Sequence, residues 1–229
     1  MNSLDDIVPF GERGWICTTA HGDDLVAAGL AANAVADRMR KTRGVVDAVA
    51  GVDSVVVRFD PDADTPEAVR LRFLDALHAA TKGLASEPSK PIVIPVCYGG
   101  DFGPDLGELA AVAGLSKQQV TTIHSSAEYT VATVGFAPGF AYIGPLDERL
   151  SVPRLDTPRA HVPAGSVGLA GGFTCVYPLP SPGGWRIIGR TPKPLFQSSE
   201  KNPFVLQPGA RVHFEPIDAE AFATIRDAR

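Results

Sequence analysis

The stretches Gly135–Leu150, GFAPGFAYIGPLDERL, and Val162–Pro192, VPAGSVGLAGGFTCVYPLPSPGGWRIIGRTP, decide the fold. Between Gly135 and Thr191 lie ten of the chain's 23 glycines and eight of its 20 prolines, threaded with apolar runs of strand length. Glycine admits positive φ and close backbone approach, while proline fixes φ and lacks an N–H, so their alternation holds a defined set of turns at low entropic cost. Short strands are expected at Tyr129–Gly135, Val167–Ala170, Phe173–Tyr177, Trp185–Gly189 and Arg211–Glu215. Regular short strands with Gly and Pro turns predict a barrel or sandwich.

Working outward, Ile92–Tyr98 reads as a further strand, with Pro95 placing it at an edge or bulge. Two short helices follow: Asp105–Ala113, and a second opened by the capping box Ser116/Gln119. His124 lies near the end of that second helix, where the partial negative charge favours its protonated form. Asp218 caps a last helix, Ala219–Asp227, whose Phe222 and Ile225 are expected to dock on the barrel.

The N-terminal third has a different grain. Extended runs Ile7–Phe10 and Trp15–Thr18 precede a helix capped by Asp23 or Asp24, with Val26, Leu30, Ala34 and Met39 at near-helical spacing and a stop at Gly44. Val45–Val49 and Ser54–Phe59 read as a hairpin, its Val55, Val57 and Phe59 on one face and Val56 on the other. Thr65 caps and Pro66 opens a second helix with the stripe Val69, Phe73, Leu77 and Ala80. This order suggests a ferredoxin-like α/β unit with its final strand next in line. The polar stretch Lys82–Pro91, KGLASEPSKP, reads as a linker. The expectation is therefore an α+β protein, with residues 1–87 as one domain and 91–229 as a barrel domain.

Hydrophobic residues at 45 % and charged residues at 21 % fit a soluble globular chain of 229 residues. No apolar run approaches the roughly 20 residues that span a bilayer, and the acidic N-terminus does not resemble a secretory signal. A net charge of −5 argues against nucleic acid as a partner. Cys17, Cys97 and Cys175 are odd in number and widely spaced, which points to a reduced, cytoplasmic setting and to neither a disulfide framework nor a CxxC zinc site. The five histidines have no metal-ligand spacing, and the phosphate-loop, GxGxxG, HExxH and GxSxG motifs are missing.

Candidate chemistry therefore rests on arginine. Arg154, Arg159, Arg186 and Arg190 sit in or beside the turns, and cations beside exposed backbone N–H groups suit an anionic ligand. A guanidinium there could equally pair with Asp147, Glu148 or Asp156. Phe136, Phe140, Tyr142, Phe173 and Trp185 read as core by default, and the doublets Gly171-Gly172 and Gly183-Gly184 as ligand approaches or strand ends.

Six ordered blocks carry a resemblance: PVCYGG at Pro95–Gly100, GFAPGF at Gly135–Phe140, TPR at Thr157–Arg159, VPAGSVGLAGG at Val162–Gly172, SPGGW at Ser181–Trp185 and IGRTP at Ile188–Pro192. They resemble the 5-oxoprolinase B-subunit family, also described as the kinase-A inhibitor (Kip inhibitor) family and as allophanate hydrolase subunit 1. The likeness is close over the C-terminal two thirds and loose over the rest. It implies a cyclophilin-like β-barrel of carboxyltransferase C/D type. It also implies work with two partners, the larger C subunit (similar to allophanate hydrolase subunit 2) and the A subunit, in the ATP-coupled opening of 5-oxo-L-proline to L-glutamate, with ATP bound by the complex. On this reading Arg154, Arg159 and Arg190 bind anions, Arg159 and His124 are the catalytic candidates, and Phe136, Pro138, Gly139, Phe140, Gly171, Gly172 and Thr174 wall one cavity. Arg159→Ala is then expected to reduce turnover with stability nearly unchanged. Two other readings come with the family: inhibition of a sensor histidine kinase, and a component of allophanate hydrolase or urea carboxylase.

Overall fold

In the computed structural model, which describes residues 2–20, 22–80 and 90–228, the β-branched run Ser54–Phe59 is paired on both sides. It is the fourth strand of a unit spanning Met1–Pro88. In chain order this unit contains β1 (Val8–Pro9), β2 (Gly14–Thr18), α1 (Leu25–Met39), β3 (Val45–Ala50), β4 (Ser54–Phe59) and α2 (Pro66–Ala80). The antiparallel sheet runs β1-β2-β4-β3. Among the described residues no strand follows α2 in this sheet. The edge position expected for a final strand is taken instead by β1, from the opposite end of the unit.

Helices cover one face of that sheet. Cys17, Val55, Val57, Phe59 and Ala48 meet Val35, Ala36 and Met39 of α1 and Val69, Phe73 and Leu77 of α2. The α2 stripe is the expected one. The α1 stripe is rotated, with Ala28, Ala31, Ala32, Val35 and Ala36 buried and Ala34 exposed, because small side chains let the backbones approach closely. On the other sheet face Val8 stands opposite Ile16, Ile16 opposite Val56, and Val56 opposite Val49, one β-branched residue from each strand. Val8 is 47 % and Val49 55 % exposed, so this row meets water.

The second unit, Ser89–Arg229, contains β5 (Ile92–Tyr98), α3 (Leu106–Val112), α4 (Lys117–Ser126), β6 (Tyr129–Val134), β7 (Ala141–Gly144), β8 (Arg159–Val162), β9 (Ser166–Ala170), β10 (Phe173–Val176), β11 (Ser181–Gly183), β12 (Arg186–Arg190), β13 (Arg211–Ile217) and α5 (Ala219–Asp227). Seven strands close a barrel in the order β10-β7-β6-β13-β5-β12-β9, and β8 and β11 form a separate ribbon. The family-implied barrel is thus present, with β7, β8 and β11 in addition to the strands expected. Most of the linker reading, 82–89, lies outside the described residues.

Side-chain direction alternates along the strands, while β9 and β10 are buried at every position. Val131, Ile143, Val167, Leu169, Val176, Ile188, Val212 and Phe214 point into the barrel, where Leu109 and Val120 of α3 and α4 join them. Pro95 sits in β5 facing Glu215 of β13, while β12 pairs only with Cys97 and Tyr98, so the missing N–H falls beside a local edge. Phe222 stacks on Phe102 with ring centroids 4.6 Å apart, whereas Ile225 stays 36 % exposed. A Cβ added at Gly103 would lie 2.0 Å from the Ile188 carbonyl oxygen, a backbone atom with nowhere to go. Gly103→Ala is expected to destabilise the chain by about 2 kcal/mol or more, read as a lower midpoint in urea unfolding.

Candidate functional site

Strand direction gathers the family motifs at one end of the barrel. Val134 pairs with Ala141, Ala141 with Val176, Val176 with Val167, and Ser166 with Arg190. The β6–β7 loop, the β8–β9 turn and the ends of β10 and β12 therefore emerge together. Gly165, at φ +81°, donates its N–H to the Tyr177 carbonyl at 2.7 Å and accepts from the Thr191 N–H at 2.8 Å. A Cβ there would sit 2.3 Å from the Thr191 oxygen, so only glycine fits. Gly139, at φ +79°, is pressed against Pro178 and Phe196.

Two hollows open at this end. One, of about 350 Å³, is apolar and lined by Val134, Gly135, Ala137, Pro138, Gly139, Phe204, Leu206 and Pro208, among others. The other, of about 250 Å³, is lined by Ala164, Gly165, Arg190, Thr191, Lys193, Phe222 and Arg226, with Pro192 and Pro194. Arg190 donates through Nε to the Ala164 carbonyl at 2.8 Å, and Lys193 through Nζ to the Val93 carbonyl at 2.8 Å. Burial pushes the Lys193 ammonium below its ordinary pKa. Phe136, between Gly135 and Ala137 in the chain, combines φ +74° with 67 % exposure and sets its ring 5.3 Å from that of Phe140. Left-handed backbone at a non-glycine residue is costly and concentrates at functional loops.

The remaining expected site residues lie elsewhere. Phe140 is buried and turns outward, stacking edge-on against Tyr142, Tyr177 and Trp185. Tyr142 in turn reaches Phe173, so an aromatic layer runs along the outside of the barrel. Gly171 and Gly172 form the tight turn between β9 and β10 at the far end of those strands, where Ala170 pairs with Phe173. Neither is among the described residues that line the hollow of Ala137, Pro138 and Gly139. A Cβ at Gly171 would meet open space, so positive φ (+56°) accounts for the glycine.

Arg159 and Arg186 also sit toward that far end, and each meets a carboxylate, although Arg159 Nη1 is buried without a hydrogen-bond partner among the described residues. Arg159 Nη2 donates to Asp105 Oδ1 at 2.5 Å, while Asp105 Oδ2 accepts the Ile187 N–H at 2.6 Å. Arg186 pairs with Glu108 at 2.7 Å. The carboxylates come from the start of α3, far in sequence from the turns, and neither was among the partners expected from neighbouring residues. Arg154 is exposed, with its guanidinium 5.7 Å from the Trp185 ring.

His124 is fully buried at the end of α4. Its Nδ1 lies 2.8 Å from the Tyr98 hydroxyl and its Nε2 2.9 Å from Thr174 Oγ1, and its ring packs on Phe214 at 4.5 Å. The Tyr129 hydroxyl donates to the His124 carbonyl at 3.0 Å, which satisfies one orphan acceptor of the helix end. The expected protonated state is reversed. Burial pushes the His124 pKa down to about 3, because loss of hydration outweighs the half-charge of a helix terminus. A neutral ring with one nitrogen donating and one accepting crosslinks α4, β5 and β10.

The family model for the carboxyltransferase domain, subdomain C and D, matches residues 6–206. The B subunit of the 5-oxoprolinase from Escherichia coli O157:H7 is 45 % identical over 184 residues, covering 80 % of this chain and 83 % of that one. This chain belongs to the 5-oxoprolinase B-subunit family. Among solved structures, the TTHA0988 protein is 34 % identical with TM-score 0.72, covering 90 % of this chain and 41 % of that one. The Kluyveromyces lactis urea amidolyase shares the fold with TM-score 0.74 at 21 % identity, covering 99 % of this chain and 16 % of that one. The chain thus spans about two fifths of the first solved relative and about one sixth of the second.

For this member of the 5-oxoprolinase B-subunit family, sequence reasoning missed Asp105, Tyr98 and Lys193. Lys193 alone carried a local signal, being held between Pro192 and Pro194. The ion pair changes what is expected of Arg159→Ala. It leaves a buried Asp105 carboxylate short of one partner, and a loss of about 1–3 kcal/mol in unfolding free energy is expected, measured by denaturant titration. The folded-state pKa of His124 is depressed, so its contribution is complete above pH 6.5, its ordinary value, and is lost as pH falls toward about 3. Stability is expected to drop by up to about 1.4 kcal/mol per pH unit in that window. Melting curves between pH 6.5 and roughly 4.5, above most carboxylate titration, should show the slope in the wild type and flatten it in His124→Gln.

Proposed function

We propose that this chain is one component of an ATP-dependent 5-oxoprolinase complex, opening 5-oxo-L-proline to L-glutamate together with a larger C subunit plus an A subunit. The observation that carries the reading is 45 % identity to a 5-oxoprolinase B subunit over 80 % of the chain. A lactam is a poor electrophile. Transfer of the γ-phosphoryl group of ATP to its oxygen, with ADP leaving, activates the carbonyl carbon toward water. The ring C–N bond then breaks, the nitrogen takes up a proton to become the amine of glutamate, and hydrolysis of the remaining acyl phosphate by a second water releases inorganic phosphate. Such a step gathers negative charge, and preorganised cations in a partly dry site suit it.

The geometry supports a partial site. Arg190 lines a hollow, while Arg154 is exposed and free to meet an anion brought by another chain. His124, sealed from solvent, is assigned to holding the barrel, and Arg159 to its pair with Asp105. A hollow of about 250 Å³ suits a carboxylate or phosphoryl group better than a whole nucleotide, since pockets for larger ligands run to roughly 300–1,000 Å³. ATP is accordingly assigned to an interface completed by a partner. The three buried free thiols fit a reduced, cytoplasmic setting.

Co-purification with the A and C subunits, followed by an assay of ADP release, tests the proposal. Release that depends on 5-oxoproline is expected to fall to background when this chain is left out. Undiminished turnover without it, or inhibition of histidine-kinase autophosphorylation with no lactam turnover in any combination, would overturn the reading.

A further inference from the structure

The half-buried cations of the barrel unit fall into two groups. Arg159, Arg186 and Arg211 each meet a carboxylate, from Asp105, Glu108 and Glu128 at 2.5, 2.7 and 2.5 Å. Among the described residues, Arg190 and Lys193 do not. Each is held by one backbone carbonyl, and they line the same cleft of about 250 Å³, whose described lining includes no Asp or Glu. The nearby acid of α5, Asp227, is engaged by Arg226 at 2.7 Å. Desolvating a cation without a counter-charge is costly, and the lowered pKa of Lys193 reflects that cost.

The two cations are also held in place. The Arg190 Nε–H bond to Ala164 leaves both Nη groups of the fork free of protein partners among the described residues. Pro192 and Pro194 restrict the backbone on either side of Lys193, whose own N–H is tied to Thr191 Oγ1 at 3.1 Å. The Lys193 ammonium keeps two N–H donors beyond the bond to Val93. A planar fork beside a point charge, fixed before any ligand arrives, matches the oxygens of one small oxyanion.

We infer that Arg190 and Lys193 form a two-cation subsite on this chain for a single carboxylate or phosphoryl group. The subsite rests on the proposed lactam-opening function for its biological ligand, where the ring carboxylate and the transferred phosphoryl group share this chemistry. Binding to the full chain alone is the test, because it does not require the complex to turn over.

Isothermal titration with 5-oxo-L-proline, with 2-pyrrolidone (the same ring without the carboxylate) and with inorganic phosphate at constant ionic strength separates the sources. Saturable binding is expected for at least one of the two anions and not for 2-pyrrolidone. Lys193→Gln and Arg190→Gln are each expected to weaken it by about tenfold or more, with Arg190→Lys recovering only part because it lacks the fork. Melting curves of the same variants report whether they fold. Preference for 5-oxoproline assigns the subsite to the carboxylate, and preference for phosphate to the phosphoryl group. No saturable binding of either anion to the wild type, or equal binding by a folded double variant, would overturn the subsite. Were the complex still to show ADP release dependent on this chain, the proposed function would survive that result.

Discussion

The second unit exists as a barrel because a strand near the C-terminus, β13, lies parallel to the strand that opens the unit, β5. Six residue pairs from Val212/Ile92 to Ile217/Cys97 make this seam, and β6 and β12 flank it. Parallel neighbours require a crossover connection, and here the crossover includes the rest of the barrel. Everything that positions the motif-bearing loops is enclosed between the two halves of one ladder. The arrangement is non-local, so its loop-closure entropy must be met before the core of Ile94, Val96, Val212 and Phe214 returns anything.

How much of this can be read from the chain differs by element. Where a residue's effect is local, sequence and structure agree. Pro66 opens α2, Ser116 and Gln119 make the capping box of α4, and the stripe Val69, Phe73, Leu77, Ala80 is buried. β7 is hidden in the sequence because Ala141–Gly144 is only four residues long, next to a Gly-Pro step. The α1 stripe is misread because alanines, weak markers of a buried face, are what the close packing selects.

The candidate site is less legible, since an arginine's partner is set by topology. Arg159 and Asp105 are 54 residues apart, and only folding shows that α3 delivers carboxylates to β8 and β12. Arg190 looks no different in sequence, yet the barrel leaves it facing a hollow. His124 illustrates competing magnitudes. The helix-end argument is sound for an exposed ring, but dehydration of an imidazolium inside a barrel is the larger effect, and the side chain becomes a neutral bridge between Tyr98 and Thr174.

The row Val8, Ile16, Val56 and Val49 has its own consequence. The sheet's edges are guarded, one by Pro9 on a two-residue strand and the other by the register shift between Val45 and Asp47. Its open face combines this row with the exposed Arg58, which stands opposite the exposed Asp47 across β4 and β3. The fold thus leaves Val8 and Val49, the outer members of that row, as apolar surface in water, while Ile16 and Val56 between them are half-buried.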